Sequence, residues 1–79
     1  MPYTVKKLAK VAGVSVRTLH YYDEVGLLKP AIVQENGYRV YEERELLLLQ
    51  QILFFRELDF SIEDIKRIIS APTFDVRQA

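Results

Sequence analysis

The chain has no cysteine, a single histidine and no excess of charge of either sign among its 79 residues. Without cysteine there are no disulfides and no thiolate chemistry, which fits a reducing interior such as the cytoplasm. No stretch approaches the roughly 18 consecutive apolar residues of a membrane span. Nothing at Met1-Pro2-Tyr3-Thr4 resembles a charged-then-apolar secretory leader. Internal repeats and low-complexity tracts are also missing. Catalysis fails on inventory: His20 sits beside tyrosines with no nucleophile next to it, and the acids fall on helical faces rather than near a glycine-rich loop.

What is present is one small soluble domain, since a chain this short cannot support two separate cores. The zero net charge conceals an asymmetry. Residues 1–41 hold six cations (Lys6, Lys7, Lys10, Arg17, Lys29, Arg39) against three acids (Asp23, Glu24, Glu35), a net of plus three. Residues 42–79 hold five cations against eight acids, a net of minus three. A polyanion would therefore dock on the first half.

The apolar residues Val5, Leu8, Ala9 and Ala12 recur at i, i+3, i+4 and i+7, which predicts a short helix with Thr4 as its N-cap. Gly13 tolerates a positive φ just past its end, and Ser15 is placed to cap a second helix from Val16 to about Glu24. On an ideal helix Leu19 and Asp23 lie on the side of Val16, while Arg17, Thr18 and Tyr21 face the other way. An outward Arg-Tyr pair one turn apart offers charge to phosphates and hydrogen-bonding rings to a groove. The competing reading has Tyr21 and Tyr22 covering the small core and Arg17 merely solvated.

Gly26 ends the second helix, and Leu27-Leu28-Lys29-Pro30 reads as an extended stretch bounded by proline. Residues 31–37 read as a loop closing on Asn36-Gly37, followed by the β-prone run Tyr38-Arg39-Val40-Tyr41, with Arg39 and Tyr41 on one face. Together these predict a short hairpin, or wing; the alternative is a plain connector in which Arg39 pairs with Glu35. A third helix is predicted from Glu43 to Leu58, apolar in nearly every direction and so in need of cover on more than one side. Ser61-Ile62-Glu63-Asp64 opens a fourth with a capping-box-like signature, a stripe of Ile62, Ile65, Ile68 and Ile69, and Pro72 past its end. The fold class is mainly α: a winged helix-turn-helix with a β-hairpin wing and a following helix pair.

The runs Tyr3-Thr4-Val5-Lys6-Lys7-Leu8-Ala9, Gly13 through Pro30 (with Arg17-Thr18-Leu19-His20-Tyr21-Tyr22-Asp23-Glu24 at its centre) and Asn36-Gly37-Tyr38-Arg39-Val40-Tyr41 resemble the MerR family of transcription regulators, over about residues 3–70. The segment Leu49 to Leu58 is most similar to the branch of multidrug- or thiopeptide-responsive activators. The resemblance implies a DNA-binding domain at residues 1–70, with 71–79 beginning a connection to a dimerisation helix that this chain does not include. It implies a homodimer in the full-length protein, placing one recognition helix and one wing per protomer on an inverted repeat in double-stranded promoter DNA. Bending and untwisting of an overlong spacer would then act on RNA polymerase indirectly. The DNA-contact set carried over is Ser15, Arg17, Thr18, His20, Tyr21, Tyr22, Lys29, Arg39 and Tyr41, with phosphate contacts from the third and fourth helices as a second wing.

Three departures qualify the resemblance. The metal-sensing branches use cysteines, so no metal site and no cofactor is expected here. Glu42 stands where a Ser, Thr or Asp cap is common, which predicts a frayed or shifted start to the third helix. Separated from a dimerisation helix, these 79 residues are expected to be monomeric. The alternative function is an excisionase-like or adaptor module that uses the same fold to bind protein.

Overall fold

Thr4 closes one element and opens the next. In the computed structural model, which describes residues 2–75, it ends the two-residue strand β1 (Tyr3–Thr4) and caps helix α1 (Val5–Ala12), its Oγ1 accepting the Lys7 N–H at 3.1 Å. Gly13 adopts φ 75°, a left-handed conformation that side-chain-bearing residues resist, and its N–H reaches the Ala9 carbonyl at 2.9 Å. Ser15 then caps helix α2 (Val16–Glu24) by accepting the Thr18 N–H at 3.0 Å. Both caps and the turn fall where the sequence placed them.

Beyond α2 the chain departs from expectation. Leu27 and Leu28 are not extended: both N–H groups bond the Tyr22 carbonyl, at 2.8 and 3.1 Å, so the segment wraps under the helix end and buries both leucines. The hairpin is built from β2 (Ile32–Val33) and β3 (Arg39–Tyr41), with a tighter turn over residues 34–38 than predicted. Gln34 N–H bonds the Tyr38 carbonyl at 2.8 Å, and the Asn36 side chain accepts the Tyr38 N–H at 3.1 Å. The sheet has a third member that went unforeseen. β1 pairs antiparallel with β3, Tyr3 opposite Tyr41, so the order is β1-β3-β2 with the wing's inner strand at the centre. Two residues carry too little periodicity to announce a strand.

Helix α3 (Glu43–Glu57) begins on register despite the unusual cap residue. The Glu45 carboxylate accepts the Glu42 N–H at 2.8 Å and supplies what Glu42 was expected to lack. Helix α4 (Ile62–Ser70) starts at Ser61, whose Oγ accepts the Asp64 N–H at 3.1 Å. The Asp64 carboxylate pairs forward with Arg67 instead of reaching back to the cap, so only half of the predicted box forms.

One core joins all of this: Leu8 and Ala9 of α1, Leu19 and Tyr22 of α2, Leu27, Leu28, Tyr41, then Leu46, Leu49 and Ile52 of α3 and Ile65 of α4. Removing solvent from an aliphatic side chain of this size contributes about 1.5–3 kcal/mol each. The far side of α3 stays uncovered. Leu47, Gln51, Phe54 and Leu58 run along one line opposite Leu49, and Phe54 and Leu58 keep more than half of their surface in solvent.

Candidate nucleic-acid interface

The outward side of α2 carries the residues that the helical wheel placed there. Arg17 is exposed, Tyr21 is half-exposed and Thr18 is partly buried, while Leu19 on the opposite side has no exposed surface; His20, which the wheel sets nearer the Val16 side, is exposed as well. The Ser15 and Thr18 hydroxyls lie 2.9 Å apart and bond one another, so both are partly engaged in capping the helix. Tyr21 leans on Tyr22, their ring centroids 6.2 Å apart, but the two rings have different fates. Tyr22 is 6% exposed and belongs to the core.

The wing behaves similarly. Arg39 and Tyr41 do share a face, as strand alternation requires, but that face turns inward, Arg39 to Asp23 of α2 and Tyr41 into the core. Tyr41 is completely buried and its hydroxyl has no hydrogen-bond partner among the described residues. Burial pushes its phenol above the ordinary range, with the Asp23 carboxylate adding to the effect. As placed here, the rings of Tyr22 and Tyr41 lie beneath the surface that a duplex would touch. Nothing in a single sequence tells which face of a three-residue strand is the inner one.

Arg39 pairs not with Glu35 but with Asp23. Its Nε donates to Asp23 Oδ2 at 2.8 Å, while Lys29 Nζ stands 3.3 Å from the other carboxylate oxygen and 3.3 Å from the Asp23 carbonyl. These cations hold the Asp23 carboxyl below the usual range, the Arg39 hydrogen bond first, against a smaller opposing effect of burial. The reciprocal bond raises the Arg39 guanidinium.

Between wing and helices lies a cleft. His20 from α2, Lys6 from α1, and Gln34, Tyr38 and Arg39 from the hairpin line it. Lys6, Lys7, Lys10 and Arg17 have no acidic partner among the described residues, whereas Lys29 and Arg39 do. Lys6 and Tyr38 were missed as individual site residues. Lys6 was counted only within the basic half, and its proximity to the hairpin follows from β1, the strand that left no sequence signal. Among the described residues there is no cluster of His, Cys, Asp or Glu that would hold a metal, and no helix is long and apolar enough to cross a membrane.

Comparison with known proteins places this geometry. The profile described as MerR HTH family regulatory protein matches residues 3–72. The HTH-type transcriptional regulator SkgA of Caulobacter vibrioides is 53% identical over 77 residues, covering 98% of this chain and 30% of the relative. The crystal structure of MtaN, the N-terminus of the Bacillus subtilis multidrug transporter activator, superposes with a TM-score of 0.85 at 46% identity, covering 96% of this chain and 72% of that one. HiNmlR, a MerR family regulator lacking the sensor domain and bound to promoter DNA, superposes at 0.78 with 36% identity, covering 85% of this chain and 53% of that one. The chain thus spans less than a third of the length of SkgA. A match across nearly all of its described residues, with the winged helix-turn-helix to go with it, makes this chain a member of the MerR family of regulatory proteins.

Proposed function

We propose that the chain is the DNA-reading head of a transcription regulator in the cytoplasm, with α2 in the major groove and the hairpin wing against the adjacent backbone. The observation that carries this is the cleft. It sets His20 of the recognition helix, Lys6 of α1 and Arg39 of the wing around one concavity, with unpaired cations on α1 and α2. Three cationic or hydrogen-bonding groups from separate elements, converging beside an exposed Arg17, suit a phosphodiester backbone better than an uncharged partner. The adaptor alternative has no support among the relatives named above.

Two copies acting together complete the proposal. Each would read half of an inverted repeat in a promoter and distort the spacer between them, which reaches RNA polymerase only through the DNA. The stripe Leu47, Phe54 and Leu58 is the kind of surface that a dimerising segment beyond the described residues would cover. Titration of the chain with fluorescent duplex at several salt concentrations tests the core of the reading. The observed association constant should fall linearly with salt on logarithmic axes. A chain that binds no duplex at low salt would refute it.

A further inference from the structure

Asp23 is an acid on a helix that we assign to DNA, close to where negative charge should be least welcome. Its side chain is only 16% exposed, and each carboxylate oxygen is committed to a different cation: Oδ2 to Arg39 Nε at 2.8 Å and Oδ1 to Lys29 Nζ at 3.3 Å. The Arg39 bond uses Nε alone. Among the described residues the two terminal guanidinium nitrogens have no protein partner, and a third of the Arg39 side chain remains exposed. A planar guanidinium bonded at Nε has its orientation constrained, and its terminal nitrogens keep N–H donors that are directed elsewhere than at the anchoring acid.

We infer that Asp23 is a positioning residue for DNA binding, which anchors the wing's Arg39 to the recognition helix so that its free guanidinium nitrogens meet a phosphate. The inference rests on the DNA-binding reading above and deepens it. Among the described residues the Asp23–Arg39 bond is the only hydrogen bond between α2 and the hairpin. It supplies the guanidinium's direction. It also draws Lys29 to the same point, and the single acid offsets the repulsion between two neighbouring cations.

The test exploits a sign. By charge alone, Asp23→Asn removes a repulsive negative group and should tighten binding to any duplex. By positioning, it frees Arg39 and should weaken binding. With a short random-sequence duplex as probe, we expect D23N to bind on the order of tenfold more weakly and its salt slope to fall by about one. In an Arg39→Ala background, the same D23N change should reverse sign and strengthen binding slightly, a result that a purely structural role would not produce. Arg39→Lys keeps the charge but lacks a separate Nε donor, so it should lose affinity like D23N; it also decides the matter if D23N does not fold. D23N binding at or above wild-type affinity, or R39K binding like wild type, overturns the inference while leaving the DNA-binding reading intact. Wild-type chain that binds no duplex removes both.

Discussion

Lys66 of α4 donates to the carbonyl of Val25 at 2.8 Å, closing the C-terminal end of α2 from a helix 41 residues further along the chain. The last carbonyls of a helix lack intrahelical partners and carry its partial negative charge, so a cation suits them. Lys66→Met should cost about 0.5–1 kcal/mol, because the ammonium is exposed and the bond partly replaced by water. Gly26→Ala should cost about 1 kcal/mol or more for another reason: φ is +77° there, while an added Cβ would meet Lys66 Nζ at an ordinary 3.6 Å. Urea melts of the two variants and their double mutant separate these causes. Near-additive losses are expected, and a G26A protein as stable as wild type would contradict the backbone argument.

Arg17→Ala should weaken binding to a cognate promoter site by about 1–3 kcal/mol and leave the melting temperature unchanged, since an exposed residue on the far side from Leu19 carries little core energy. Gel-shift and thermal-melt series on the same preparations check both halves. Equal affinity for mutant and wild type would remove Arg17 from the recognition surface.

Tyr41→Phe should leave stability unchanged or raise it by about 1 kcal/mol, because it deletes a buried hydroxyl without a partner. It should also alter the alkaline limb. The folded state holds the Tyr41 proton more tightly than the unfolded chain does, so stability is lost as pH rises above about 10, where the unfolded phenol ionises first. Tyr3 is shifted the same way by burial and its bond to Glu43, so the limb should shrink in Y41F rather than vanish. Denaturation followed across that pH range measures the difference.

Asp23 governs the opposite limb. Its folded-state affinity for a proton is lowered, so the stability it contributes is complete above the ordinary carboxylate range near 4 and disappears as pH falls through and below it. D23N should flatten the stability curve in that acid window and leave its slope near neutrality unchanged. An unchanged acid limb would mean that the ion pair is absent in solution.

The 79-residue chain by itself should sediment as a monomer, or as a weak associate through the exposed Phe54 and Leu58, and bind a half-site feebly. Appending a stable antiparallel coiled coil of suitable geometry should raise affinity for an inverted repeat by orders of magnitude with no new base contact. A tight dimer of the unmodified chain at full binding strength would place the dimer interface within residues 1–79.

How legible all this was in the sequence depends on what each element leaves behind. Helices α1, α2 and α4 announced themselves through caps and apolar spacing, and Thr4, Ser15 and Ser61 cap where expected. Helix α3 was legible as a helix that stays partly uncovered. The hairpin was legible as a hairpin, but its first strand was misplaced by several residues because the apolar pair Leu27-Leu28 ahead of Pro30 reads as extended, while Ile32-Val33 is too short a run to stand out. The outward set on α2 was readable from periodicity, which fixes relative directions around a helix. Tyr41 was not, because a strand's period gives two faces and no means of telling the inner from the outer. Arg39 was singled out correctly as a wing cation, yet its bond to Asp23 spans sixteen residues and follows only from how the wing folds over the helix.

The pairing of Tyr3 with Tyr41 has a practical corollary. The strand that carries the wing is held at its base by two residues at the very start of the described chain, so the reach of the hairpin is set by the N-terminal edge as much as by its own turn. Trimming four residues, or fusing a bulky tag against Tyr3, would act as a lever on the wing some forty positions downstream, and preparations that differ only at that end need not read DNA alike.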